Sequence, residues 1–290
     1  MSTEVNKAFV NKYRSNFIHL AQQKGARLRN FVRVNEGVVG KADHFDRLGS
    51  TAAQKMTSRH ADTPLISTPH SRRKVVMEDY NWADLVDKAD KIKMLSDPGS
   101  EYMTAGVWAM GRTIDDLILA AMTGNATSVS STDATSSVAL PSAQKIAHGS
   151  AGMTMAKLRE ARKILRAADI DQDEDLYLAI SADKIDDLFA ESGTPIISVD
   201  YNEKKPLVEG SISYFMGFNL IHTERLGNDS NDNQQVMAWA KSGVGLSIGQ
   251  NIETKISERP DKNYSMQVYA QMSLGATRIQ DNHVVEIACQ

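Results

Sequence analysis

The stretch DPGSEYMTAGVWAMGRTIDDLILAAMTG, residues 97–124, decides how the rest of the chain is read. Asp97 can accept from free helix amides, and Pro98 at the first helical position has no amide to satisfy. Tyr102, Ala105, Ala109, Ile114, Leu117, Ile118 and Ala121 recur at helical steps up to Gly124, which suits the left-handed residue that closes many helices. The spacing predicts a helix of about seven turns, close to ~40 Å at ~1.5 Å per residue, long enough to act as a spine. Gly106, Ala109, Gly111, Ala120 and Ala121 keep parts of it slim, so that another element can approach. The alternative is that they are only tolerated, each glycine costing about 1 kcal/mol relative to alanine.

On the N-terminal side, Val5, Phe9, Tyr13, Phe17 and Leu20 mark an amphipathic helix with one apolar stripe, ending near Gly25. The stripe suits a core or a neighbouring subunit equally. Leu28, Phe31, Val32, Val34, Val38 and Val39 then favour strand, residues 40–63 carry few large apolar groups, and β-favouring residues return at Leu65, Ile66, Val75, Val76 and Met77. The simplest picture is a long two-stranded arm with Pro64 and Pro69 at an edge or bulge. A ribbon of this kind is marginal alone in water and implies a partner surface. Arg27, Arg29, Arg33, Arg59, Arg72, Arg73 and Lys74 decorate it, and Asp84, Asp87 and Asp90 follow. Residues Trp82 to Leu95 are expected to form a short helix.

Beyond the spine, residues 125–137 have the Thr/Ser-rich composition of a flexible linker. Thr154 is placed to cap a helix whose Leu158, Ala161, Leu165 and Ala168 share a face. Leu176–Ile180 reads as a strand and Ser181–Phe189 as a further helix. Strands are expected at 196–199, 211–221, 244–256, 264–272 and 283–288, and the mixture is an α+β signature.

Composition narrows the function. At 290 residues the chain is one elaborate domain or two interleaved lobes, and with 41% hydrophobic residues it has the balance of a soluble globular protein. It carries no apolar run of membrane-spanning length and no signal-like start, so a cytosolic site of synthesis is expected. A formal charge of -3 argues against a dedicated nucleic-acid binder. Cys289 is the only cysteine, which excludes an intrachain disulfide.

Candidate chemistry is thin. Asp169, Asp171, Asp173 and Asp175 alternate but lack the glycine and terminal glutamate of a calcium loop, so a solvated acidic turn is expected. Gly243, Gly245 and Gly249 are misspaced for a dinucleotide fingerprint and suit bends in strands. Gly149-Ser150-Ala151-Gly152, one residue short of a nucleophile elbow, reads as a turn beside His148. The seven histidines show no metal-ligand spacing. The reading is therefore of a non-enzyme with no cofactor and no metal.

Three blocks carry a likeness: WADLVDKADKIKMLSDPGSEYMTAGVWAMGRTIDDLILAAMTGNA (residues 82–126), YLAISADKIDDLFA (177–190) with EGSISYFMGFNLIHTERL (209–226), and GATRIQDNHVVEIAC (275–289). In order and spacing the chain resembles the major capsid proteins of tailed double-stranded DNA bacteriophages, with their HK-97-like fold. The first block is the most specific, with Gly111-Arg112 and the Ile114-Asp115-Asp116 step inside it.

The resemblance implies an N-terminal arm (1–26), an extended loop (27–80), a peripheral domain with the spine helix (81–170), an axial domain (171–251) and a return to the peripheral domain (252–290). It implies hexamers and pentamers of this chain forming an icosahedral head around packaged DNA, which faces the inner surface without sequence-specific binding. A separate scaffolding protein, a portal and, as a further candidate, a decoration protein are the expected partners, with no membrane. The protein would reside in the virion after assembly in the host cytoplasm. Inter-subunit contacts are expected at Phe9, Tyr13 and Phe17 on the arm and at Arg59, Arg72 and Arg73 on the loop. No covalent crosslink is expected, since Lys41, Lys55 and Asn282 sit in no specific motif. The rival readings are an encapsulin-like nanocompartment shell, a hydrolase built on Ser150, and a nucleic-acid-binding module.

Overall fold

The computed structural model describes residues 22–56, 58–59, 62–63, 65–86, 99–130, 133–191 and 213–290. The expected arm helix, the Asp97-Pro98 cap and the strand at 196–199 lie outside them. Among the described residues the chain is α+β, with helices α1 (Gly99–Thr123), α2 (Met155–Ala167) and α3 (Ala182–Ala190) among fourteen strands. The strands are β1 (Arg33–Glu36), β2 (Ala42–Leu48), β3 (His70–Val76), β4 (Glu78–Val86), β5 (Ala126–Val129), β6 (Thr135–Val138) and β7 (Lys145–Ile146) in the first half. They continue with β8 (Leu176–Ile180), β9 (Tyr214–Phe215), β10 (Phe218–His222), β11 (Gln234–Ala240), β12 (Val244–Arg259), β13 (Ser265–Arg278) and β14 (Val284–Cys289).

The chain divides into two compact units. One comprises residues 1–26, 79–112 and 251–272, and the other residues 27–78, 113–250 and 273–290. Helix α1 and strands β12 and β13 each run through both.

The larger unit is built on a six-stranded sheet in the order β7-β14-β11-β8-β10-β9. Its central strand β8 is LYLAI, buried at every position, and it pairs in parallel with β10 and antiparallel with β11. A strand covered on both faces needs a continuous apolar run, and this one has it. Helix α2 lays Leu158, Ala161 and Leu165 against β14 and β11. Thr154 caps it by accepting from the Lys157 amide at 3.4 Å. Trp239, fully buried on β11, donates through Nε1 to the Phe31 carbonyl at 2.9 Å and packs near Tyr177 with ring centroids 5.9 Å apart. β11 has no counterpart in the sequence reading, although its run of five buried residues, VMAWA, is as continuous as that of β8.

A second sheet runs β2-β3-β5-β6, antiparallel throughout. The ribbon differs from the one expected: β3 pairs with β2, from the stretch expected to have little to bury, the expected first strand gives β1, which pairs in parallel with β12, and β3 has further strands on its other side. They come from the segment expected to be a flexible linker, where β5 and β6 form a hairpin and β5 pairs with β3 at Arg72 to Lys74. Composition misled there because Thr, Ser and Val are strand formers once an edge offers hydrogen bonds. Strand β3 begins at His70, so Leu65 and Ile66 belong to the connection before it. A third sheet runs β1-β12-β13-β4.

In the smaller unit Trp82 lies in β4, not in the expected short helix. The small residues of α1 accommodate close neighbours: a Cβ on Gly106 would sit 2.6 Å from the Trp82 ring, and one on Gly111 2.5 Å from the Gly25 backbone. Arg112 donates to Gln22 Oε1 at 2.9 Å and to the Gln23 carbonyl at 3.2 Å.

Helix α1 itself spans 25 residues, roughly 37 Å at ~1.5 Å per residue. In the larger unit its buried face is Ile114, Ile118, Leu119 and Met122, turned from the expected Leu117 and Ala121. Gly124 does not adopt the expected left-handed conformation, since its φ is not positive. It is required sterically, because a Cβ there would lie 2.7 Å from the Ala120 carbonyl oxygen, which the Gly124 amide itself approaches at 2.8 Å.

Candidate assembly surfaces

The extended loop presents apolar side chains to solvent. Val39 is 97% exposed, Leu65 95%, Met56 76% and Leu48 69%. The loop is closed at its base, where the Gly49 amide donates to the Pro69 carbonyl at 2.9 Å and a Cβ on Gly49 would meet the Pro69 ring at 2.5 Å. The connection is thus a closed excursion from the β2–β3 pair.

The basic residues expected to make contacts separate into two kinds. Arg59 is exposed in the connection. Arg72 is half-exposed and donates through Nε to Asp46 on β2 at 2.6 Å. Arg73 is only 1% exposed and donates to Asp281 at 2.5 Å. Adjacent strand residues point to opposite faces, so Arg72 and Arg73 cannot form one basic patch. Arg73 belongs to the interior of this unit, a correction to its placement beside Arg59 and Arg72. Phe9, Tyr13 and Phe17 lie outside the described residues.

The interior of that face is a cluster of guanidiniums. Asp281 accepts from Arg73 and, at 2.6 Å, from Nε of the fully buried Arg278. Arg278 also donates to the carbonyls of Met122, Gly124 and Val138 at 2.8–3.0 Å, fastening the end of α1 and the end of β6 to β13. Burial pulls the Arg73 guanidinium below its ordinary pKa; Asp281 opposes this, and Arg47 and Arg278 reinforce it. Sequence reading missed Arg278 and Asp281 because a lone charge at a strand end and another in the turn after it carry no periodic signal.

A second node sits on α1. Both oxygens of the fully buried Asp115 accept from the Arg27 amide, at 2.9 and 3.1 Å, and one accepts from the Leu28 amide at 2.9 Å. Asp116, one position round the helix and partly exposed, pairs with Arg225 through two hydrogen bonds, which hold the guanidinium above its ordinary pKa. The Arg27 guanidinium reaches the His222 carbonyl at 2.6 Å.

The remaining sequence candidates are local turns. Nδ1 of His148 accepts from the Ser150 amide at 3.0 Å, and Ser150 has φ 53°, so the near-elbow is a turn closed by its own histidine. In the acidic segment the Glu174 amide bonds the Asp171 carbonyl, and Arg166 donates to the Asp171 carbonyl at 2.8 Å. Gly245 lets β12 pass the Phe45 ring, where a Cβ would come within 2.6 Å. Among the described residues no group of three or more His, Cys, Asp or Glu side chains could hold a metal ion, and no helix is long and apolar enough to cross a membrane.

Among the described residues the chain is α+β, charged clusters tie its strands together, and the β2–β3 connection displays apolar and basic side chains. The chain belongs to the phage capsid protein family, whose model matches residues 5–290. No curated protein sequence matches it. Its fold is that of solved capsid chains. A chain of the cyanophage P-SCSP1u capsid superposes with TM-score 0.75 at 16% identity, covering 100% of this chain and 95% of that one. A chain from the head of Helicobacter pylori bacteriophage KHP40 gives TM-score 0.76 at 11% identity, over 100% and 98%. One from the capsid of Ralstonia phage GP4 gives 0.74 at 9% identity, over 97% and 95%.

Proposed function

We propose that this chain is the major capsid protein of a tailed double-stranded DNA bacteriophage, assembling as hexamers and pentamers into the icosahedral head. The observation that carries the reading is coverage: the family model takes in residues 5–290, and the fold accounts for nearly the whole of capsid chains from phages of unrelated hosts. The role is structural, with no catalytic residue assigned. The family match is to phage capsids, which favours a genome-enclosing head over an encapsulin-like compartment.

In this reading residues 1–26 are the arm, 27–80 the extended loop, 81–170 the peripheral domain, 171–251 the axial domain and 252–290 the returning strands. The loop lies over a neighbouring copy, burying Met56 and Leu65 and setting Arg59 and Arg72 against acidic groups there. Phe9, Tyr13 and Phe17 dock the arm similarly. A separate scaffolding protein directs closure in the host cytoplasm, and a portal completes the shell.

The test is negative-stain electron microscopy with size-exclusion chromatography, on the protein expressed alone and with its neighbouring genes. Closed shells, capsomers or aberrant tubes are expected. A stable monomer under both conditions would refute the proposal, and shell diameter separates a phage head from a small compartment.

A further inference from the structure

Among the described residues, the guanidinium cluster around Asp281 carries more positive charge than neighbouring carboxylates balance. Arg47 donates through Nη1 to the Ile279 carbonyl at 2.9 Å, and Arg73 reaches the same oxygen through Nε at 3.4 Å. Two like charges thus share one neutral acceptor. The carboxylate in reach, Asp281, is already divided between Arg73 and Arg278. Arg33, whose guanidinium lies 6.0 Å from the Phe45 ring centroid, makes no ion pair among the described residues. Asp46 is engaged by Arg72.

Two N–H groups in this cluster are buried without a partner among the described residues: Nε of Arg47, which borders a cleft, and Nη1 of Arg73 behind it. Leaving a charged donor unpaired in the interior is costly, and such donors in a native fold call for a further acceptor. Arg33 and Arg47 line an open cleft of about 400 Å³ together with Ser71, Ser242, Asn282 and two carboxylates, Asp281 and Asp46, the latter paired with Arg72. The cleft therefore offers two guanidiniums, hydroxyls and an amide, and its Asp281 is neutralised from behind by two arginines. Arginine forks match the geometry of planar and tetrahedral oxyanions, which accept several N–H bonds at once.

We infer that the cleft lined by Arg33 and Arg47 binds an oxyanion, either a carboxylate offered by a second copy of this chain or a free phosphate. The site exists in the single chain; only the choice between the two sources rests on the shell reading. Bound, the anion would balance the surplus charge behind β2 and β3 and so lock them to the bend after β13 that carries Ile279.

The experiment is thermal unfolding of the purified, unassembled chain in inorganic phosphate against chloride at equal ionic strength, with calorimetric titration of phosphate. A rise in Tm of about 3 °C at ~50 mM phosphate is expected. It is lost in Arg47→Gln and retained in Arg259→Gln, whose guanidinium pairs with Asp261 and does not line the cleft. Circular dichroism checks that Arg47→Gln folds, and Arg33→Gln replaces it if it does not. Assembled shells identify the source. A phosphate response confined to the unassembled chain means that a neighbour's carboxylate fills the cleft in the shell, whereas a response in both means a solution anion. No rise in the unassembled wild type, or an equal rise in the cleft variant, overturns the inference, and neither result depends on whether shells form.

Discussion

Replacing Asp115 by alanine should be among the most damaging single changes in helix α1, while the same change at Asp116 should be mild. Asp115 is fully buried and its carboxylate accepts from the amides of Arg27 and Leu28. Removing it strands the buried Leu28 N–H and the half-buried Arg27 N–H. Hydrogen bonds to a charged group are worth about 1.5–3 kcal/mol each, so the loss should be about 3–5 kcal/mol. That corresponds to a fall in Tm of roughly 6–15 °C for a chain of this size. Asp116 and Arg225 are 41% and 36% exposed at their side chains, and a pair so hydrated should contribute about 1 kcal/mol or less. Asp115→Asn keeps one acceptor oxygen and the shape, and should fall between the two.

Urea unfolding of the unassembled protein, followed by tryptophan fluorescence, gives the ranking. Hydrogen exchange supplies the local readout: the Arg27 and Leu28 amides should lose protection in Asp115→Ala while amides of the central sheet keep theirs. If Asp115→Ala costs no more than Asp116→Ala, or the two amides stay protected, the carboxylate is not what holds the chain there.

Three further outcomes follow from the same geometry. Gly111→Ala should destabilise, although helix propensity alone predicts a gain of about 1 kcal/mol, because the new methyl would meet the Gly25 backbone at 2.5 Å; a higher Tm would refute the close packing. Asp43 is held below its ordinary pKa of 3.8: burial pushes it up, but hydrogen bonds from Ser247 and Asn35, both at 2.7 Å, and from the His44 amide outweigh it. A depressed carboxylate contributes stability above its unfolded pKa that is lost as pH falls through the folded one. Ser247→Ala should therefore raise the Asp43 pKa by NMR and lower stability near neutral pH, the difference shrinking in acid; an unmoved Asp43 would count against the bond. Arg72→Glu should leave a folded chain that fails to close shells, whereas Arg73→Glu should fail to fold, placing carboxylate against Asp281. Equal behaviour of the two by circular dichroism and microscopy would sink the two-face argument.

That last contrast shows where sequence suffices and where it does not. The spine helix, the cap at Thr154, strand β8 and the long C-terminal strands were legible because each is a local pattern: a 3.6-residue period, a capping residue, a short apolar run. β11, whose apolar run is as continuous as that of β8, was legible by the same rule and was overlooked. The hairpin of β5 and β6 was not legible, since what makes it a pair of strands is the neighbour it pairs with, β3. The same limit governs charge. Arg72 and Arg73 look alike as letters, and the alternation of a strand makes them different, but which of the two faces inward depends on Asp281, more than two hundred residues away. A basic run in a strand should therefore be divided by parity before any contact is assigned to it. Here the division leaves Arg59 and Arg72 as candidates for a neighbour and turns Arg73 into part of the frame that presents them.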